Sequence, residues 1–354
     1  MFKLNVIYSF LLFILKIFLR IKPQKSVELK NNNVLILFQH ENLGVILSGK
    51  IFFENIKNSF PNSNIHLVIC SKFLTNIDLS YFSNAIGLEK NDKILTLKNF
   101  RQIISRDYFS VIIPTIEKFS FFSHFILALS NSSQKIGVSY LDDEKNPFGF
   151  TFTNKIALKW KNSPDSHISE YLNEFLVKAG LKVSKIKNQI LKSQQKEKLL
   201  DQYSIEKNKK IIIINNEPEE LKNKWSTENL VKLISNLVST GNYYFFYIEE
   251  NIEPEIKRIL ESEIKVLHYI NKNNFSEIYE ILSISDLIIT CDSTIMHLAG
   301  LFDIPQISIF GITNPFNWAP IGVNKKFLKR SDLINDITSE NVYDLSLELL
   351  AKGR

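Results

Sequence analysis

The sequence predicts an α/β protein of two domains, each built on a parallel, doubly wound sheet. Short apolar, β-branched runs recur along the chain, separated by amphipathic stretches of helical period; buried parallel strands joined by crossover helices look like this. At 354 residues the chain exceeds what one ordinary hydrophobic core fills. One stretch, Asp286 to Pro320, displays the repeating unit in order: strand, polar turn, helix, turn, strand, loop.

The N-terminus departs from this pattern. Leu4 to Ile21 is dominated by Leu, Ile, Phe and Val, but Lys16 and Arg20 interrupt it. A spanning helix needs ~20 mostly uncharged apolar residues, and a cleaved signal peptide needs a small-residue site that is absent before Pro23. Residues 1–22 therefore read as a basic, aromatic-bearing helix lying on the inner membrane surface through residues 4–21. The alternative is a terminal helix packed on its own domain.

The first domain is expected over residues 30–165. Asn33 to Phe38 is a strand, followed by the loop Gln39–Gly44, a helix from Val45 to Ser59 and a strand from Ile65 to Cys70. Lys93–Leu97, Val111–Ile113 and Lys135–Val138 read as further strands. Asn146 to Asn162 is poorly periodic and punctuated by Pro147, Gly149 and then Pro164, so the domain junction is placed after it. Residues 166–205 are expected to be a linker, with a helix from His167 to Ala179 ended by Gly180 and a Lys-, Gln- and Asn-rich surface segment. The second domain, 206–335, carries strands at 211–214, 243–248 and near 265–268, and helices at 227–239, 252–260 and 275–283. A closing helix within 336–354 is expected to pack back on the first domain.

Composition bounds the function. An apolar fraction of 45% with 23% charged residues excludes a disordered chain. A net charge of +6 and a pI near 9.0 favour anionic partners, such as a nucleotide or an acidic membrane surface; no nucleic acid is expected. Cys70 and Cys291 each end an apolar run and imply neither a disulfide framework nor a metal site, which fits a reducing, cytoplasmic setting. There is no G-x-G-x-x-G, no P-loop and no metal-ligand spacing, so neither metal nor cofactor is expected.

The chemistry concentrates in Asp286–Pro320. Leu287 to Cys291 is the strand; Asp292 and Ser293 sit where a helix wants capping oxygens; Thr294 to Leu301 continues as a helix and Gln306 to Phe310 as the next strand. A strand feeding a helix N-terminus presents free N–H groups and a positive dipole end, which suits a phosphate. Any parallel α/β unit shares that grammar, so the residue types narrow it. Ser293 and His297 are four apart, on one helix face. Lys222 and Lys224 precede Trp225 in the loop after the domain's first strand, at the carboxyl edge where ligands gather. The structural alternatives are a core histidine, a packed tryptophan and solvated lysines.

The run D-L-I-I-T-C-D-S-T-I-M-H-L-A-G, followed by F-G-I-T-N-P, resembles the nucleotide-sugar site of glycosyltransferase family nine, typified by the ADP-heptose:lipopolysaccharide heptosyltransferases. K-N-K-W-S-T-E-N-L (222–230) is similar to that family's Lys-x-Trp segment. The resemblance covers most of the chain and is specific in residues 285–320. It implies two Rossmann-like domains facing a cleft (the GT-B arrangement), with the donor held in the C-terminal domain. It implies inverting, metal-independent transfer of a sugar, heptose being the first guess, from a nucleotide diphosphate such as ADP to a glycolipid or lipopolysaccharide-core acceptor. Carried over, Asp292, Ser293, Thr294 and His297 line the donor site, with Gly311 and Thr313 beside them. Lys222 or Lys224 neutralises the leaving diphosphate, and Glu249 or Glu250 takes the ribose hydroxyls.

Four positions depart from the family pattern. Val45 stands where the family has the Asp that deprotonates the acceptor, so that role is vacant or moved, with Glu41 and His40 in the same loop as the candidate substitutes. Gln39 replaces an Arg, Thr294 a Gly, and Asn223 the Lys of Lys-x-Trp. A non-catalytic nucleotide-sugar-binding or scaffold protein is the rival from another class, and a sugar-nucleotide epimerase or hydrolase the rival within the fold.

Overall fold

In the computed structural model the chain forms two compact units, Met1–Ile186 and Lys187–Arg354. The residues described are 32–40, 43–77, 79–88, 93–160, 164–183, 196–218, 220–250 and 267–352, with isolated positions 14, 257 and 258. The segment expected at 1–22 and the helix expected at 252–260 fall outside them apart from those positions, and so does Glu41.

The first unit is built on β1 (Asn33–Phe38), β2 (Asn64–Cys70), β3 (Asn84–Leu88), β4 (Asp107–Ile113), β5 (Asn131–Leu141), β6 (Glu144–Lys145) and β7 (Asn154–Leu158). They lie in the order β3-β2-β1-β4-β5, with β7 also beside β5, all parallel except the short β6, which folds back antiparallel on β5. Val34 to Phe38 are all buried, as a strand covered on both faces requires. The helices are α1 (Leu43–Ser48), α2 (Lys50–Ser59), α3 (Lys93–Ile104), α4 (Phe121–Leu129) and α5 (Ile168–Lys178).

Three expectations for this unit are corrected. Residues 93–97 open helix α3 rather than forming a strand. The apolar pattern continues past them at helical spacing, with Phe100 and Ile103 packed on the core. The irregular stretch 146–162 contains the strand β7, whose Ile156 and Leu158 are buried while Lys155 and Ala157 face out. Helix α5 is no linker. Phe175 meets Phe52 of α2 at 6.3 Å between ring centroids, so the helix belongs to the first core. Its end is set by Gly180, at φ +78, a left-handed position that favours glycine.

The second unit carries α6 (Lys196–Gln202), β8 (Lys210–Asn215), α7 (Thr227–Thr240), β9 (Tyr243–Glu249), β10 (Leu267–Asn271), α8 (Phe275–Ile284), β11 (Leu287–Cys291), α9 (Thr294–Ala299), β12 (Gln306–Ile309), α10 (Pro315–Trp318), β13 (Lys325–Leu328) and α11 (Ser339–Lys352). Its six strands are parallel in the order β10-β9-β8-β11-β12-β13. Helix α7 buries Leu230, Leu233, Ile234 and Leu237, one stripe at helical spacing, and Ser226 caps it by accepting from the Asn229 amide. The closing helix α11 was expected to return to the first domain. Instead Val342, Leu349 and Leu350 join the second unit's own core with α7, β11 and β12, where the sheet face beyond α7 offers the apolar surface they need. Cys291 is buried, and burial pushes its thiol well above the ordinary range, while Cys70 is only half-buried.

Candidate functional site

In the second unit the strand order reverses between β8 and β11, the place where a doubly wound sheet opens a crevice at its carboxyl edge. Asn215, the last residue of β8, sits there and is 2% exposed. Its Nδ2 donates to the Ile248 carbonyl at the end of β9 (2.8 Å). Its Oδ1 accepts from Ser293 Oγ (2.8 Å) and from Thr290 Oγ1 (3.2 Å). One amide therefore ties three strand ends and the start of α9 together. Sequence reasoning passed over Asn215; the signal was a pair of asparagines placed directly after four buried isoleucines.

The second of the pair, Asn216, shapes the next loop. It accepts from the Trp225 amide (3.1 Å) and donates to the Trp225 carbonyl (2.8 Å), while Trp225 Nε1 donates to the Ile337 carbonyl (2.7 Å). Trp225 is a buried strut of the core, as its packing alternative held. Asn223, in the place of the resemblance's lysine, is buried too. Its Nδ2 donates to Thr313 Oγ1 (3.3 Å) and its Oδ1 accepts from the Ile312 amide (3.2 Å). The loop after β12 is thus fastened to the loop after β8. Gly311 is required by that closeness: a Cβ there would lie 2.8 Å from Asn223 Oδ1 and 3.2 Å from Ile334 Cβ. The Gly311 carbonyl also accepts from Lys329 Nζ.

The two lysines diverge. Lys222 is exposed and paired with Glu220 (2.7 Å). Lys224 points inward and meets Glu249 Oε1 at 3.1 Å. Glu249 is 2% exposed, and burial raises its carboxyl above the usual range against the lowering pull of Lys224. The Tyr247 side chain on the same strand hydrogen-bonds to this carboxylate and lowers its pKa more weakly. Glu250 lies further out and shares Lys272 (3.1 Å) with Glu217 (2.5 Å). Burial pulls the Lys272 ammonium down, but these two carboxylates outweigh it and its pKa is raised.

On α9 the expectations for Ser293 and Thr294 change. Ser293 is the N-cap, with its Oγ accepting from the Met296 amide (3.2 Å) and donating to Asn215. Its hydroxyl is turned into the protein and holds the helix start. Thr294 fits in place of glycine without strain, because among the described non-glycine residues only Asp142 and Ser204 have positive φ. Asp292, Thr294 and His297 are half-buried, and the His297 ring, in the last turn of α9, sits edge-on to Trp318 at 6.1 Å.

The first unit's loop after β1 holds His40 and Gln39. His40 Nε2 donates to the Pro114 carbonyl (3.0 Å) and its ring lies edge-on to Phe38 at 4.7 Å. Burial lowers its pKa to about 4, only partly offset by that hydrogen bond, so the ring is neutral and weakly basic. Gln39 accepts from Ser123 Oγ (2.7 Å). Val45 is fully buried in α1. Among the described residues no group of three or more His, Cys, Asp or Glu side chains is placed to hold a metal ion.

The sequence model of glycosyltransferase family 9 (heptosyltransferase) matches residues 120–340. No curated protein sequence matches the chain. Among solved structures, a glycosyl transferase family 9 protein from Veillonella parvula superposes with a TM-score of 0.73 at 15% identity, over 92% of this chain and 99% of that one. An E. coli ADP-heptose lps heptosyltransferase II gives 0.72 at 14% identity, over 90% and 98%. The E. coli heptosyltransferase WaaC with ADP gives 0.67 at 14% identity, over 90% and 99%.

Proposed function

This chain belongs to glycosyltransferase family 9 and is a glycosyltransferase, and from that premise we propose a donor, an acceptor and a division of labour among its residues. The donor is a nucleotide-diphosphate heptose, ADP-heptose first. The acceptor is a lipopolysaccharide-core or related glycolipid at the cytoplasmic face of the inner membrane. Transfer is inverting and needs no metal. The observation that carries this reading is the extent of the family match, 120–340, which takes in the whole crevice from Asn215 to Thr313. WaaC, of the same fold, has been crystallised with ADP and with ADP-2-deoxy-2-fluoro heptose.

In this reading the diphosphate lies at the crevice between the loops after β8 and β11, near Asp292, Thr294 and His297. Lys224 stabilises the charge that develops on the leaving group. Glu249, the carboxylate that ends β9, accepts from the ribose. Asn215, Asn223 and Ser293 hold the loops in register and touch no substrate. The base is assigned to Glu41, since Val45 carries no proton acceptor and His40 is buried with Nε2 engaged.

The test is transfer from ADP-heptose and other nucleotide-heptoses to a truncated core glycolipid, followed by nucleoside diphosphate release. Glu41→Gln should slow turnover by about 10²- to 10⁴-fold with donor affinity unchanged; full activity in that variant would remove Glu41 from the mechanism. The fully buried Val45 favours one second reading, a nucleotide-sugar-binding protein that has lost transfer. Nucleotide binding by calorimetry without turnover on any donor would establish it.

A further inference from the structure

Of the thirteen exposed large apolar side chains among the described residues, six fall between Ile312 and Leu333. The densest part is the turn joining α10 to β13, closed by the Lys325 amide donating to the Gly322 carbonyl (3.2 Å). At its tip Ile321 is 58% and Val323 91% exposed. Beside it Phe316, 53% exposed, lies edge-on to Phe327 with ring centroids 5.3 Å apart. Among the described residues β13 is the last strand of its sheet, so this apolar turn stands at the sheet's edge. Water-facing valine and isoleucine at a turn tip contribute nothing to the core, and such a patch marks an interaction surface.

The charge around it has one sign. From Ile304 to Ser331 the chain has no Asp or Glu, yet it carries Lys325, Lys326, Lys329 and Arg330. Two of these are spoken for. Lys325 donates to the Ala299 and Phe302 carbonyls (3.0 and 2.8 Å) and to Gln306 Oε1 (3.2 Å), and Lys329 pairs with Asp332 (2.9 Å). Lys326 and Arg330 are exposed. Glu348, held by Lys352 (2.5 Å), is also lowered weakly by Lys326, so these two cations share one acid. Protruding aliphatic and aromatic side chains flanked by exposed cations suit the headgroup level of a negatively charged bilayer, where aromatics settle and cations meet phosphates. A second copy of this chain suits it less, because the same edge would present like charge to itself.

We propose that the turn 320–324 and the edge strand β13 dock the second unit onto an anionic lipid bilayer. Ile321, Val323 and Phe316 enter the headgroup boundary, and Lys326 and Arg330 meet lipid phosphates. The proposal does not depend on which sugar is transferred.

The experiment is hydrogen–deuterium exchange on the full chain with phosphatidylglycerol-containing vesicles, with pure phosphatidylcholine vesicles, and with none. Amides of 316–330 should slow severalfold with the anionic vesicles only, and the effect should shrink as salt rises. Ile321→Glu with Val323→Glu should cut vesicle-bound protein by about tenfold, two new anions acting against the negative surface, with the urea midpoint unchanged. Sedimentation with vesicles while 316–330 exchanges at its free rate would overturn the proposal, because binding would then lie elsewhere. Slowing without vesicles that grows with protein concentration, together with a dimer in ultracentrifugation, would replace the bilayer by a second copy. Equal slowing on phosphatidylcholine would remove the role given to the cations.

Discussion

Replacing Asn215 with Ala should disconnect the ends of three strands and the start of α9. The side chain is 2% exposed and makes three hydrogen bonds, one donated and two accepted. A net contribution of about 1 kcal/mol each sets the scale. The lost donor leaves the Ile248 carbonyl buried and unpaired, which costs more. The two hydroxyls are partly protected, because Thr290 Oγ1 and Ser293 Oγ lie 3.1 Å apart and the single Thr290 hydroxyl proton has the Cys291 carbonyl (2.8 Å) as an alternative acceptor to Asn215. The total is about 2–3 kcal/mol, which in urea is a midpoint shift of roughly 1 M or more for an ordinary slope. Combining it with Ser293→Ala should give a coupling of about 1 kcal/mol, since the two side chains share one bond. Affinity for ADP should fall with the stability of the crevice. A loss under about 0.5 kcal/mol, or strict additivity with Ser293→Ala, would refute the clamp.

Three further expectations rest on the same geometry. Lys224→Met leaves the Glu249 carboxylate buried without its cation and raises its pKa further. The cost, about 2 kcal/mol after allowing for the part-exposed ammonium, should be full at pH 8 and shrink towards pH 4 as Glu249 protonates, and Lys224→Met with Glu249→Gln should recover most of it. Gly311→Ala pushes a Cβ to 2.8 Å from Asn223 Oδ1; it should cost about 1–3 kcal/mol and weaken nucleotide binding more than it alters the far-UV spectrum. His40 and His124 are held neutral by burial, with pKa values of about 4 against an ordinary 6.5. The unfolded chain therefore binds more protons between those values. The first unit should keep its full stability above pH 6.5 and lose about 3 kcal/mol per histidine as pH falls to 4; urea unfolding at pH 7.5 and 5 measures it, and a flat profile would contradict the burial of these rings.

Much of the architecture was legible because it depends on local pattern. Four isoleucines in a row, Leu287 to Cys291 and the stripe of α7 each announce a buried strand or a one-faced helix wherever they fall. The elements that were misread are those where pattern is ambiguous. Lys93–Leu97 is too short to tell a strand from a helix start, and β7 is recognisable mainly through its pairing with β5. The family was legible too, since Asp292, His297 and Gly311 to Thr313 carry its wording.

What the linear sequence determined, then, is the two-sheet α/β plan and the family. Hydrophobic period and motif spelling are properties of neighbouring residues and survive without a fold. What only the tertiary structure decided is which way the polar groups turn. Ser293 and Asn223 were equally available to a ligand by spelling, yet each is consumed by partners 78 and 89 residues away. Lys222 and Lys224 are two positions apart, and one faces water while the other meets a buried carboxylate on the next strand. Buried polar atoms must find partners, and the partners come from wherever the sheet order brings strand ends together. In this protein that place is Asn215, at the reversal between β8 and β11.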